Sequence, residues 1–343
     1  MMARGCDSLS GVDTNPAQRH GITVPFAGPL HSQRERFEEL ADLGYTDVWT
    51  AEADGFDGLT TLALASVWAP SLRLGTAILS VYTRGPALLA QSASSLASAA
   101  PGRFVLGIGS SSDVIVGRWN AASFDRPYRR VRDTIRFLRA ALGGEKVTED
   151  YDTFSVRGFR LGVRVGERVP IFVAALRERM LRLAAREGDG AIINWLSARD
   201  AARVCGIVRS ESPSAEVVAR IFVLPTADRA AALATGRFIL AAYLNVPVYR
   251  AFHTWLGRTD ALGEHWAQWD AGDRRGSLDK IPEHVVDELL VHGSPEECRR
   301  HIQRFADNGV TCPAPMVLPV DGVDEFEVVR ALAPAADPGT LSA

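Results

Sequence analysis

Eight short apolar runs, separated by longer stretches of helical period, are the feature that most restricts what this chain can fold into. The runs are Gly21 to Phe26, Asp47 to Ala51, Leu72 to Leu79, Phe104 to Ile108, Pro170 to Ala174, Ala191 to Asn194, Val217 to Leu224 and Pro315 to Pro319. The stretches between them include Gln33 to Leu43, Pro86 to Ala99, Tyr128 to Leu142, Arg177 to Glu187, Ala198 to Arg209, Arg229 to Leu244 and Pro295 to Asn308. Alternation of this kind is the pattern of βα units around a parallel sheet. Eight units fit a closed (β/α)₈ barrel, a fold that commonly uses 250 residues or more as one domain. The 343 residues therefore predict an α/β, TIM-type barrel as a single domain.

Two segments interrupt the alternation and predict insertions after strand 4 and strand 7. Residues 145–169 have β character, and residues 246–281 are rich in Trp, Tyr and His. Residues 1–19 and 332–343 have weak periodicity and are expected to be poorly ordered.

A hydrophobic fraction of 47% with 23% charged residues suits a large buried core under a charged surface. The net charge of −3 lacks the basic excess needed to grip nucleic-acid phosphates. No run approaches the eighteen or more uninterrupted apolar residues of a membrane span, and no signal-type apolar run precedes Arg19, so a cytoplasmic protein is expected. Cys6, Cys205, Cys298 and Cys312 are scattered without metal-ligand spacing, which predicts free thiols and no metal site.

In an α/β barrel the active site lies at the carboxyl ends of the strands. After the fourth run, Gly107-Ile108-Gly109-Ser110-Ser111-Ser112 combines close backbone approach with hydroxyl donors and suits a heteroatom-rich ligand; an ordinary turn leaving a buried strand reads equally well. After the third, Ser80-Val81 at a strand end suits a bulge supporting a flat ring, or a plain loop before the proline-led helix at Pro86. After the fifth, Ala174-Ala175-Leu176-Arg177 runs into a helix whose unpaired N–H groups suit a phosphate, although tight βα packing also explains the alanines. After the second, Glu52 is a candidate to move a proton or anchor a ring edge, with capping or an ion pair as the competing role.

Taken in order, these segments closely resemble the luciferase-like monooxygenase superfamily and, within it, the F420-dependent oxidoreductases common in actinobacteria. The resemblance runs from Gly21-Ile22-Thr23-Val24-Pro25-Phe26 through Leu43-Gly44-Tyr45-Thr46-Asp47-Val48-Trp49, Arg73-Leu74-Gly75-Thr76-Ala77 and Pro101-Gly102-Arg103-Phe104 into Gly107-Ile108-Gly109-Ser110-Ser111, and continues through Glu187-Gly188-Asp189-Gly190-Ala191. It implies a deazaflavin (F420) cofactor and a nonprolyl cis peptide at Ser80-Val81 backing its ring. It also implies that Gly109, Ser110, Ser111, Ser112, Ala174, Ala175, Leu176 and Arg177 surround the side chain and phosphate, with Ile193 and Asn194 lining the same pocket. Arg118, Arg126 and Arg129 are candidates to meet an acidic polyglutamyl tail, and a homodimer is suggested by the resemblance alone.

One departure bears on the reaction. Family members that oxidise alcohols or sugar phosphates carry a histidine after the acidic residue at the second strand's end, where this chain reads Glu52-Ala53. Alanine takes no proton from a hydroxyl, which favours reduction of a C=C or C=N bond in a small organic substrate, with Glu52 or a pocket group placing the proton. His253, in the second insertion, is a further catalytic candidate beside a structural reading. The competing functions are an FMN-dependent monooxygenase using reduced flavin and O2, and a silent barrel that only binds a ligand or partner.

Overall fold

The computed structural model describes residues 18–334. Eight barrel strands run parallel and in sequence order: β1 (Gly21–Val24), β2 (Asp47–Thr50), β3 (Arg73–Thr76), β4 (Phe104–Gly109), β5 (Ile171–Ala174), β6 (Gly190–Asn194), β7 (Glu216–Leu224) and β8 (Cys312–Val317). Each pairs with the next through β8. At the remaining seam Arg19 N–H donates to Thr311 O at 2.7 Å and Thr23 Oγ1 to Ala314 O at 3.4 Å, so the barrel is nearly closed. The eighth strand begins at Cys312, three residues before the apolar run that predicts it.

Side chains alternate across each strand, and two layers result. The outward set, with Val48, Leu74, Leu106, Val173, Ile193 and Val217 among it, packs against the helices. The inward set, Trp49, Val105, Phe172, Ile192, Val218, Cys312 and Ala314, fills the barrel. Trp49 and Phe172 stack there at 6.0 Å, and the indole lies where a Cβ on Gly75 would come within 2.2 Å of its ring. Gly75 is thus the side-chain-free position that admits Trp49.

Below this layer, at the amino ends of the strands, the barrel is closed by charge. Asp47 is fully buried and accepts from Arg19 Nε at 2.7 Å and from Arg73 Nε, while Arg73 also holds Glu216 through two bonds of 2.8 Å. Burial works against the Arg73 charge, and Glu216 with Asp47 outweighs it, raising the guanidinium above its ordinary value.

The helices follow their sequence signals closely. Pro86–Ala99 and Pro127–Leu142 begin on proline in the first turn, and Ala198–Glu211 and Pro295–Asp307 begin with serine capping boxes at Ser197 and Ser294. Helix Gly58–Trp68, absent from the sequence expectation, is capped by Asp57, which accepts from Leu59 and Thr60 N–H.

The first irregular segment contains an antiparallel hairpin, Val147–Asp150 with Ser155–Phe159. The second is helical: Pro247–Trp255, Thr259–Asp270 and Arg274–Asp279 join Arg229–Leu244 and Glu283–Leu289. Together they bury a second apolar cluster on Trp195, Phe222 and Leu224 at the carboxyl ends of β6 and β7. A roof therefore stands over one side of the barrel mouth. Arg19 is held in the charged layer and Leu332 and Ala333 are buried; the rest of the two termini expected to be poorly ordered, 1–17 and 335–343, lies outside the described residues. Among those residues no single helix is long and apolar enough to cross a membrane.

Candidate active site

The third strand breaks just below the mouth, and the break shapes the site. Gly75 stands opposite Val105 and Leu79 opposite Ile108, so the three residues 76–78 face two, 106–107, across the ladder. This is a β-bulge. Thr76 Oγ1 ties it to β4, donating to Gly107 O and accepting from Gly107 N–H, both at 2.8 Å. A Cβ on Gly107 would lie 1.7 Å from Thr76 O, so only glycine permits this approach.

The nonprolyl cis peptide lies at Ala77–Ile78, and Ser80–Val81 is not cis. The expectation drawn from the resemblance was three residues late, because the apolar run hides the break after Thr76 and reads as one strand to Leu79. Ala77 and Ile78 pack with the inward layer, whereas Ser80 and Val81 are buried beside Gly109. Ser80 pairs with Gly109, and Val81 N–H donates to Gly109 O at 3.0 Å.

From the bulge the mouth continues without interruption. A Cβ on Gly109 would sit 2.8 Å from Ala174 Cβ and 3.2 Å from Ile78 Cγ1 and Cδ1, which puts the ends of β3, β4 and β5 in contact. Ala175 N–H donates to Ile192 O at 3.0 Å and adds β6. Ser80, Gly109, Ala174 and Ala175 are thus brought together along one wall, with Asn194 two residues further along β6.

Ser110, Ser111 and Ser112 follow, with Ser111 in the left-handed region at φ 62°. Ser112 Oγ accepts from Ile115 N–H at 3.3 Å and its carbonyl from Val116 N–H at 2.9 Å, which starts a π-helical turn at Val114–Trp119. Beyond Ala175 and Leu176, helix Glu178–Arg186 begins at Arg177 with no side-chain cap, leaving its first N–H groups turned to the loop. Arg177, Arg118, Arg126 and Arg129 are exposed on the rim; Arg126 donates to Asp152 O at 2.7 Å and Arg129 lies 3.6 Å from the Asp152 carboxylate.

Three expected residues take other places. Ile193 points outward into the helix layer, because its neighbours Ile192 and Asn194 take the inward positions, and it does not line the mouth. His253 has no exposed surface, and neither ring nitrogen has a partner. Burial, with the Arg258 charge second, pushes its pKa down to about 3, so the ring is neutral at pH 7 and carries no proton to a ligand in the mouth. Glu52 is at the mouth but occupied: Arg84 donates two bonds to it, at 2.5 and 2.7 Å, and Gly58 N–H a third at 3.2 Å. Its carboxylate ties the loop after β2 to the loop after β3, an anchoring geometry rather than that of a free proton donor.

Facing this wall stands a group that the strand pattern does not single out. Arg220 occupies an inward position of β7, two residues above Val218, with Asn194 its register partner on β6. Its Nη2 donates to Met316 Sδ at 2.9 Å, and its buried Nε has no partner. The Tyr249 hydroxyl donates to Asn194 Oδ1 at 3.2 Å and accepts from Asn194 Nδ2 at 3.1 Å, and burial raises its pKa to about 12. The signal for Arg220 was a lone cation at an inward position within the otherwise apolar stretch Val217 to Leu224.

A parallel barrel with a bulged third strand and a glycine-lined wall at its carboxyl end defines the class as an α/β-barrel enzyme with a mouth-side ligand site. The family model described as luciferase-like monooxygenase matches residues 10–312, and the chain belongs to that family. Among relatives, a 5,10-methylenetetrahydromethanopterin reductase of Methanolobus tindarius is 28% identical over 280 residues, 78% of this chain and 84% of the relative. An F420-dependent glucose-6-phosphate dehydrogenase of Beutenbergia cavernae is 34% identical over 142 residues, covering 39% of this chain and 41% of the relative. Among solved structures, the coenzyme F420-dependent tetrahydromethanopterin reductase of Methanopyrus kandleri superimposes with a TM-score of 0.75 at 17% identity, over 93% of this chain and 98% of that one.

Proposed function

We propose that this protein is an F420-dependent oxidoreductase that transfers a hydride to a small organic substrate by reducing a C=C or C=N bond. The observation carrying this reading is the contact between the ends of β3, β4 and β5. Gly107 and Gly109 carry no side chain into the mouth, Ile78 faces it from the bulge, and Ala174 closes the wall. A planar tricycle fits against such a surface, where any Cβ on Gly109 would collide with Ala174 or Ile78. The relative named as F420-dependent supports the deazaflavin over FMN.

In this reading the Ala77–Ile78 backbone backs the ring, with Ser80 and Val81 supporting it from behind through Gly109. Residues Gly109 to Ser112 line the cofactor's side chain, and the uncapped helix start at Ala174 to Arg177 holds its phosphate, where free N–H groups and the helix dipole favour negative charge. Arg118 and Arg129 on the rim face the acidic tail. The bound deazaflavin supplies a hydride donor; the chain's own part is to orient the ring, keep water from one face and hold the substrate over the other. Ala53, where alcohol-oxidising relatives carry histidine, leaves no base for a hydroxyl proton and favours the reductive direction.

Fluorescence titration with F420 and, separately, FMN tests the cofactor. Saturable quenching of F420 at micromolar concentration, with FMN binding at least tenfold weaker, supports the proposal. Preferential retention of FMN, with oxygen consumed on its reduction, contradicts it and favours the monooxygenase.

A further inference from the structure

A buried cation normally has a carboxylate beside it. Arg73, Arg84 and Arg258 follow that rule, pairing with Asp47 and Glu216, with Glu52, and with Asp200 and Glu288. Arg220, half-buried with its Nε enclosed, does not: its acceptor is a thioether sulfur, a weak one, and the Nε is unsatisfied. Burial lowers its pKa, the Tyr243 and Tyr249 hydroxyls lie near it, and among the described residues no carboxylate forms an ion pair with it.

Its surroundings are rich in donors. Trp195 stacks on Phe222 at 3.8 Å, and the Arg220 guanidinium lies 5.4 Å from that same ring. The buried Trp195 Nε1–H has the Tyr243 hydroxyl beside it, and the Trp195 backbone is in the left-handed region at φ 53°, unusual for so bulky a residue. Asn194 and the Tyr249 hydroxyl complete the cluster. An unsatisfied guanidinium Nε with no paired carboxylate, beside an amide and a phenol, matches an oxyanion better than any neutral group.

The position is as informative as the chemistry. Asn194 lies two residues beyond Ile192, the register partner of Ala174, so the donor cluster stands on β6 and β7 and faces the bulge and glycine wall across the mouth. We propose that Arg220 recognises a carboxylate or phosphate group on the organic substrate, and that the substrate is therefore an organic anion. This rests on the cofactor occupying the opposite wall, as proposed above.

The test uses the F420-loaded protein titrated calorimetrically with cinnamate, benzyl phosphate and the neutral methyl cinnamate. The expected result is at least tenfold tighter binding of one or both anions than of the ester, a preference abolished in R220M and partly restored in R220K, with the F420 Kd unchanged within twofold in both variants. Equal affinity for anions and ester in the wild type, or a preference surviving in R220M, overturns the proposal. An alternative source of the anion is the cofactor. If R220M weakens F420 but not the phosphate-free deazaflavin, Arg220 holds the cofactor's phosphate; if it weakens both, it holds the ring; either result overturns the substrate assignment. Should the wild type bind no F420, the cofactor reading fails by itself, and the same titration on the unloaded protein still decides whether Arg220 selects anions. Near-equal melting temperatures of the variants confirm that they fold.

Discussion

The two ends of the barrel use the same residue type in opposite ways. At the amino ends, Arg73 points inward and is met by Asp47 and Glu216, leaving a fully buried carboxylate held from two sides. At the carboxyl ends, Arg220 points into the same interior with no carboxylate and an unsatisfied Nε. A closed network contributes to holding the fold, whereas an unpaired donor is, in the proposal above, available to a ligand. Pairing with a carboxylate, more than burial, separates Arg73 at the lower end from Arg220 at the mouth.

The largest effect is expected where the lower network is broken. Asp47→Ala leaves Arg19 and Arg73 short of a buried partner and should cost about 3–5 kcal/mol in urea unfolding. The F420 affinity of the folded protein should stay within twofold. A loss below 1 kcal/mol, or a large loss of cofactor affinity at full stability, would erase the contrast between the ends.

Unsatisfied polar groups are not all sites, and His253 sharpens the distinction. Its ring is neutral in the fold with a pKa of about 3, while an unfolded histidine titrates near 6.5. Between those values the unfolded chain binds a proton that the folded chain does not, so stability falls as pH drops below about 6.5, by about 1.5–2 kcal/mol at pH 5 from this group. His253→Leu should be no less stable than wild type at pH 7, should lose this share of the acid sensitivity, and should retain turnover. A hundredfold fall in kcat with an intact fold would restore His253 as a catalytic candidate.

The smallest effect is expected at Glu52. A general acid contributes about 10²- to 10⁴-fold to the rate, whereas a residue that only anchors Arg84 contributes far less. Glu52→Gln is therefore expected to change kcat within about fivefold, measured as oxidation of reduced F420, with any loss in KM. A loss above a hundredfold in kcat alone would mark Glu52 as the proton donor after all.

Most of the barrel was legible because parallel strands covered on both faces read as uninterrupted apolar runs, as in Phe104 to Ile108 and Ile171 to Ala174. The start of β8 was not: Pro313 and Pro315 supply no ladder N–H and disguise the strand until the middle of its span. The break in the third strand was equally hidden, since Ala77 and Ile78 are apolar and continue the run; only the register against β4 reveals the extra residue. At the mouth, the small residues at 109 and 174 stand where β4 and β5 approach closely, and close approach has a compositional signature. Side-chain pairing has none. The Glu52–Arg84 bridge spans 32 positions, the outward turn of Ile193 depends on strand phase, and the solitude of Arg220 is defined by what fails to pack beside it.

The most direct test is a crystal structure of the protein with F420 bound. The expected result places the ring against Ala77–Ile78 and Gly109, its phosphate at the start of helix Glu178–Arg186, and leaves the Arg220 guanidinium free across the open ring face. A cofactor seated away from the β3–β5 wall, or one whose phosphate is held by Arg220, would contradict the account.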